Sequence, residues 1–239
     1  TASRPQSCPP GSLRFNTDSA KIEYYRGDTI GWVEMEAEDV EIGGGTSSGS
    51  IDGKGTRMLF AGGYTPSSNP NDTFNNVDAI TVETQGNSID FNNLTANLTG
   101  MANFGDTTRA VAAGGVGPRS YSPGSTNNQI QFCTFASQGD YADSGGDLTR
   151  TNMFMGCFNN KVRGVICGGS LPYSNTIDYV TIQTLGNAVD YGDLSVLTGY
   201  PAGVSSSTRG IILGGLVVGG SPASYNTITM FTTSSTGAG

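Results

Sequence analysis

One pattern recurs four times along this chain and narrows its fold more than any other feature. Arg57-Met-Leu-Phe-Ala-Gly62-Gly63 matches Arg109-Ala-Val-Ala-Ala-Gly114-Gly115, and the pattern returns as Arg163-Gly-Val-Ile-Cys-Gly168-Gly169 and Arg209-Gly-Ile-Ile-Leu-Gly214-Gly215. The arginine stands five positions before the first glycine in every copy, and the glycine pairs lie 52, 54 and 46 residues apart. A second register agrees: Asn75, Asn128, Asn175 and Asn226 each precede a glycine by eleven residues, at Gly86, Gly139, Gly186 and Gly237. Two fixed spacings kept through four copies are the mark of a repeat architecture, in which each unit buries its apolar face against the next.

Each unit reads as four short strands. Strand A precedes the arginine, B runs from it to the glycine pair, and C follows the asparagine with β-branched and aromatic residues in rough alternation. Strand D ends in a leucine: Gly86 to Leu94 parallels Gly186 to Leu194, and Gly139 to Leu148 is the same with one extra residue. Four strands in roughly 40–50 residues make a β-propeller blade. The repeats fall at about 46–95, 96–149, 150–195 and 196–239, and the fourth stops after strand C. A missing D strand leaves an edge that must be covered. Trp32 to Ile42 alternates Val33, Met35 and Ala37 with acids, so it is expected to close the fourth blade antiparallel to Ile228–Thr232. A small closed propeller is the first reading, and an open array completed by another subunit is the second. The four arginines, one per blade, are expected to make the same ion pair or loop-carbonyl hydrogen bond in each copy. The four asparagines are expected to brace the turn into strand C.

Composition removes most chemistry. Glycine accounts for 36 of 239 residues, or 15%, with no every-third rhythm, so collagen is excluded. Charged residues are only 13%, about half the usual share, which argues against coiled coils and helical repeats. The absence of histidine removes Ser-His-Asp and Cys-His catalysis and His-ligated metals. A net charge of −8 lacks the basic footprint of a nucleic-acid binder and disfavours anionic membranes. No apolar run approaches a membrane span. The N-terminus lacks a signal-peptide layout, and a chain starting at Thr1 reads as one made in a cytoplasm with its initiator removed. The four cysteines, Cys8, Cys133, Cys157 and Cys167, are read as free thiols. No cofactor or metal is expected.

Residues 1–45 stand apart. Leu13-Arg-Phe15, Lys21-Ile-Glu-Tyr-Tyr25 and Gly31-Trp-Val-Glu-Met35 read as a three-strand meander, with Arg26-Gly27-Asp28 as a hairpin turn rather than an adhesion motif. The pattern L-R-F-N-T-x-x-x-K-x-E-Y-Y-x-G…W-V resembles a module common in bacteriophage tail-fibre and other virion proteins. Strand B closing on a diglycine resembles the kelch repeat, and the whole repeat consensus resembles kelch-like repeats in structural proteins of marine phages. Together the likenesses cover residues 11–237. They imply an all-β chain: a small kelch-like β-propeller of about four blades behind an N-terminal meander. They also imply a non-enzymatic virion protein, assembled in the host cytoplasm and anchored through residues 1–45. Its expected partners are capsid or tail proteins and other copies of itself, with neither nucleic acid nor membrane.

The rival reading is a carbohydrate-binding adhesin of a tail fibre. Each B–C loop carries an aromatic residue near its end: Phe74, Tyr121, Tyr173 and Tyr225. On a propeller these would gather on one face, where variable loops bind, although packing on their own blades is the stronger expectation. Asp140, Asp143 and Asp147 fit no EF-hand spacing and read as part of strand D. The acidic run from Glu34 to Glu41 reads as a solvated strand face, and the Asn-x-Thr sequons as chance.

Overall fold

The computed structural model describes residues 5, 8–16, 21–34, 57–65, 73–82, 86–117, 126–206, 208–217, 224 and 226–233. Tyr121, Tyr225, residues 35–42, the first A segment and Gly237 lie outside them. The described residues form nineteen β-strands and no helix, so the expected all-β class is correct. The chain divides into two compact units, Thr1–Val40 and Glu41–Gly239.

The first unit is the expected meander. Strands β1 (Leu13–Asn16), β2 (Lys21–Tyr25) and β3 (Trp32–Glu34) pair antiparallel in that order. Arg26-Gly27-Asp28 does form the β2–β3 turn. Arg26 donates to the Gly31 carbonyl at 3.0 Å, and the Asp28 carboxylate accepts from the Tyr25 hydroxyl at 2.5 Å. Beneath the sheet Glu23 is buried, paired with Arg14 at 3.2 Å and accepting from the Asn16 amide at 3.0 Å. The Trp32 ring lies 5.4 Å from Tyr25 and under the Arg14 guanidinium.

The second unit contains four antiparallel sheets in repeat order. Sheet I is β4 (Arg57–Tyr64), β5 (Thr73–Thr81) and β6 (Ile89–Asn93). Sheet II is β7 (Ala102–Gly105), β8 (Arg109–Ala113), β9 (Gln129–Thr134) and β10 (Ala142–Asp147). Sheet III is β11 (Gly156–Asn159), β12 (Arg163–Cys167), β13 (Thr176–Thr181) and β14 (Val189–Asp193). Sheet IV is β16 (Ala202–Ser205), β17 (Arg209–Leu213) and β19 (Ile228–Thr232). The short β15 (Thr198–Gly199) pairs with β18 (Leu216–Val217). Each full sheet is the A-B-C-D meander read from the sequence.

The sheets stack face on face, and the B strands show why their sequences are apolar without alternation. In β8, Ala110 and Ala112 pack toward sheet I while Val111 and Ala113 pack toward sheet III. In β12, Ile166 turns to sheet II, and Val165 and Cys167 turn to sheet IV. A strand buried on both faces has no wet side on which to place polar residues. Ring-to-glycine contacts tighten the inner edge. A Cβ on Gly164 would meet the Phe104 ring at 2.1 Å, and one on Gly210 would meet the Phe158 ring at 2.1 Å.

The diglycine has a defined task. Gly62, Gly114, Gly168 and Gly214 have φ of 63°, 67°, 64° and 56°, a region open to glycine at little cost. A Cβ at Gly168 would lie 2.4 Å from the Thr198 carbonyl oxygen, and one at Gly62 would lie 2.3 Å from that of Leu98. The second glycine then donates to the same crossing segment: Gly63 to Leu98, Gly115 to Asn152 and Gly169 to Thr198, at 2.8–3.0 Å. Leu94, Leu148 and Leu194 pack beside the first glycine, each with its N–H bound to the carbonyl of Asn75, Asn128 or Asn175.

No closed ring is seen among the described residues. Trp32–Glu34 is taken up as the third strand of the meander against Tyr25–Glu23, and β19 has its ladder with β17. The rest of the proposed closing segment, 35–42, lies outside the described residues. Among the described residues β19 pairs with β17 alone, and β3 with β2 alone.

Candidate functional site

The inner strands β7, β11 and β16 lie side by side and border an open groove of about 400 Å³. Its wall is built from one position repeated. Gly100, Phe154 and Tyr200 each follow the D-strand leucine by six residues. All three have left-handed backbones, with φ of 68°, 52° and 56°. They are linked in series: Phe154 donates to the Gly100 carbonyl at 2.7 Å and Tyr200 to the Phe154 carbonyl at 3.1 Å. The two rings stack at 4.6 Å with 22° between planes, and the Phe154 ring also covers Gly100. Tyr200 is 47% exposed, so this stack presents an open aromatic face. Asn103, Met101 and backbone groups complete the lining, and the Cys157 thiol there donates to the Asn103 carbonyl at 3.1 Å. Rings and amides of this kind bind flat or amphipathic surfaces. The lining holds no carboxylate or lysine for acid–base work.

Of the aromatic residues singled out in the B–C loops, the two described ones, Phe74 and Tyr173, do not line this groove. Phe74 stands 40% exposed on β5 opposite Gly63 in sheet I. Tyr173 is half-buried in the loop after β12, where its ring covers Gly199 of the next crossing segment. Tyr121 and Tyr225 lie outside the described residues. The sequence reading missed Phe154 and Tyr200 because their repeat partner is a glycine. The constant six-residue offset was the available signal.

The arginines form a ring-stacked series. The guanidinium of Arg109 sits 5.1 Å from the Phe132 ring, and that of Arg163 sits 4.7 Å from Tyr179. The equivalent C-strand residue in sheet I is Ala79, and Arg57 lies instead over Phe91 at 5.8 Å. Arg109 also donates to the carbonyls of Gln183 at 2.5 Å and Ile182 at 3.3 Å in the next sheet. Arg209 stands exposed opposite Thr232. Three residues before three of these arginines sits the cap of the A–B hairpin. The Asp106 and Asn160 side chains, and the Ser206 hydroxyl, each accept from the arginine N–H at 2.7–3.1 Å.

Asn75, Asn128 and Asn175 meet the end of strand D through their backbone carbonyls, and Asn226 immediately precedes Thr227, whose carbonyl accepts from the Gly214 N–H at 3.0 Å. The side chains that cap the turn into strand C belong to the residue immediately before the repeat asparagine. Asn127 accepts from the Gln129 N–H at 2.7 Å, and Ser174 accepts from the Thr176 N–H at 3.0 Å.

Acidic residues serve the joints between sheets. Asp140 accepts from the Asn93 backbone at 2.9 Å, and Asp147 donates its N–H to the Asn187 amide oxygen at 3.1 Å. The Gly145 N–H lowers the Asp143 carboxyl. Asp178, 4% exposed, accepts from the Thr149 N–H at 3.0 Å and hydroxyl at 2.8 Å, and burial raises its carboxyl despite these bonds and nearby Arg150. Gln131 fills the same place in sheet II and accepts from the Thr95 N–H at 2.9 Å. Cys8, Cys133, Cys157 and Cys167 are free thiols, as read from the sequence, and burial raises Cys133 and Cys167. Among the described residues no helix is long and apolar enough to cross a membrane, and no three metal-ligating side chains are grouped. No protein-family model matches the chain, and no curated protein matches it.

Proposed function

We propose that this chain is a non-enzymatic structural protein of a bacteriophage virion. Its kelch-like four-blade array is displayed on the particle, as a capsid decoration, a head or collar appendage or a tail-fibre component. The observation that carries the reading is the division of the chain. A meander with its own buried Arg14–Glu23 pair forms one compact unit, and the stacked repeats form another. An anchor and a display platform need that separation, and both units carry the sequence likeness to virion proteins. The partners are capsid or tail proteins, met by a surface with a net charge of −8. A second reading, a glycan-binding adhesin, draws on the open Phe154–Tyr200 stack.

Particles assembled with the full chain, or with residues 41–239 alone, test the proposal. The full chain is expected to co-sediment with particles and the truncated chain to stay in the supernatant. Equal incorporation of the two overturns the anchor. Failure of both to incorporate, with binding to host polysaccharide instead, favours the adhesin.

A further inference from the structure

Each internal joint in the stack uses the same two surfaces. The trailing face of one sheet, built on the second and fourth residues between the arginine and the diglycine, meets the leading face of the next, built on the first and third. At the III–IV joint, Val165, Cys167 and Ile177 of sheet III are fully buried against Ile212 and Phe231 of sheet IV. At the II–III joint, Ile166 and Ile182 supply the leading face and are 3% and 0% exposed.

Sheets I and IV carry the same surfaces where no such joint covers them. By strand register, Ile228 stands where Ile177 stands, and Met230 where Tyr179 stands. Ile228 is 68% exposed and Met230 58%. On sheet I, Phe60 and Val82 hold the positions of Ile166 and Ile182, and they are 49% and 59% exposed. Thus, among the described residues, sheet IV presents an open trailing face and sheet I an open leading face.

We infer that the trailing face of sheet IV docks on the leading face of sheet I of a second copy of this chain, head to tail. The repeat itself names the occupant. Every covered trailing face in the molecule is covered by a leading face, and sheet I carries one that is open among the described residues. Size matching at the inner edge agrees. The internal joints set Phe104 on Gly164 and Phe158 on Gly210. Val204 replaces the ring in sheet IV, and Met58 replaces the glycine in sheet I, so a smaller side chain faces a larger one. The contact is heterologous, so copies either close into a ring or extend. Two copies of a four-sheet array make an eight-bladed ring, within the usual range of about 4–8 blades.

Sedimentation of the full chain over a wide concentration range tests this. The wild type is expected to run as two or more copies. Phe60→Asp and Met230→Asp should each weaken association about a hundredfold. Each variant keeps one good face, so mixing the two should restore a one-to-one pair. Both changes are at exposed positions, and Val82→Ser with Ile228→Ser repeats the design with milder substitutions should either aspartate variant lose its β circular dichroism. A wild type that stays monomeric at all concentrations overturns the inference and returns closure to a single chain. Variants that associate like the wild type, or a mixture that fails to pair, overturn it as well.

Discussion

A carboxylate taken out of water sits at the joint between sheets II and III. Asp178 is held there by two Thr149 donors and by the charge of Arg150, with Asp190 opposing. Burial is the largest influence and raises its proton affinity above that of an exposed aspartate. A raised folded value means that the native state binds the proton more tightly than the unfolded chain. Stability is therefore gained as pH falls through the folded value, and the gain is complete below the unfolded value of about 3.9. Asp178→Asn removes this dependence. Thermal melting of both proteins should show the wild type gaining on the variant as pH is lowered from neutrality. A gap that moves the other way would mean that the Thr149 and Arg150 interactions outweigh burial. Gln131 at the equivalent place makes the same bond to Thr95 without a charge, so the position requires an acceptor more than an acid.

At the scale of the element, the diglycine turn closes strand B and grips the crossing segment. Two costs contribute there and can be separated. Gly168 is left-handed and crowded, with a carbonyl oxygen 2.4 Å from any added Cβ. Gly145 is equally left-handed, at φ 74°, but has open space around it. Gly145→Ala should cost about 1 kcal/mol, from the backbone alone. Gly168→Ala should cost about 3 kcal/mol or more, because a packed backbone must move as well. Denaturant titration gives both numbers, and equal losses would deny the crowding. The strand order and the diglycine were legible in the sequence because they depend on local rules, namely a fixed arginine spacing and an alternating C strand. The groove wall was not, since Gly100, Phe154 and Tyr200 share a backbone conformation and no side-chain chemistry. Of the loop aromatics, Tyr173 lies on a glycine of the next crossing segment, a packing partner that no single-repeat pattern reveals. The turn caps were displaced from the conspicuous asparagines to Asn127 and Ser174, whose identities vary between repeats.

At the scale of the whole molecule, the two compact units bury separate cores. The meander rests on Tyr25, Glu23 and Asn16, and the array on three clusters between successive sheets. Removing residues 1–40 should leave the melting transition of the array where it stands in the full chain, as read by calorimetry. A large shift would mean that the array relies on the first unit for its stability. Closure by Trp32–Ile42 was the sequence expectation that depended on long-range geometry; its described part, Trp32–Glu34, pairs with the nearer hairpin partner, and 35–42 lies outside the described residues. Local pairing after a short Gly-containing turn costs less loop entropy than reaching across the chain.

The fit of Phe104 on Gly164 and of Phe158 on Gly210 also bears on how such a gene can grow. Sheets II and III each carry a ring that seats on their successor, Phe104 and Phe158, and the position that receives a predecessor need not match it within one sheet. A duplicated copy of sheet III would set Phe158 on Gly164, ring on glycine, and could be inherited intact. A duplicated copy of sheet II would press Phe104 onto Ala110, where a methyl group occupies the socket. Tandem copying therefore suits sheet III better than sheet II, and the difference between Gly164 and Ala110 decides it.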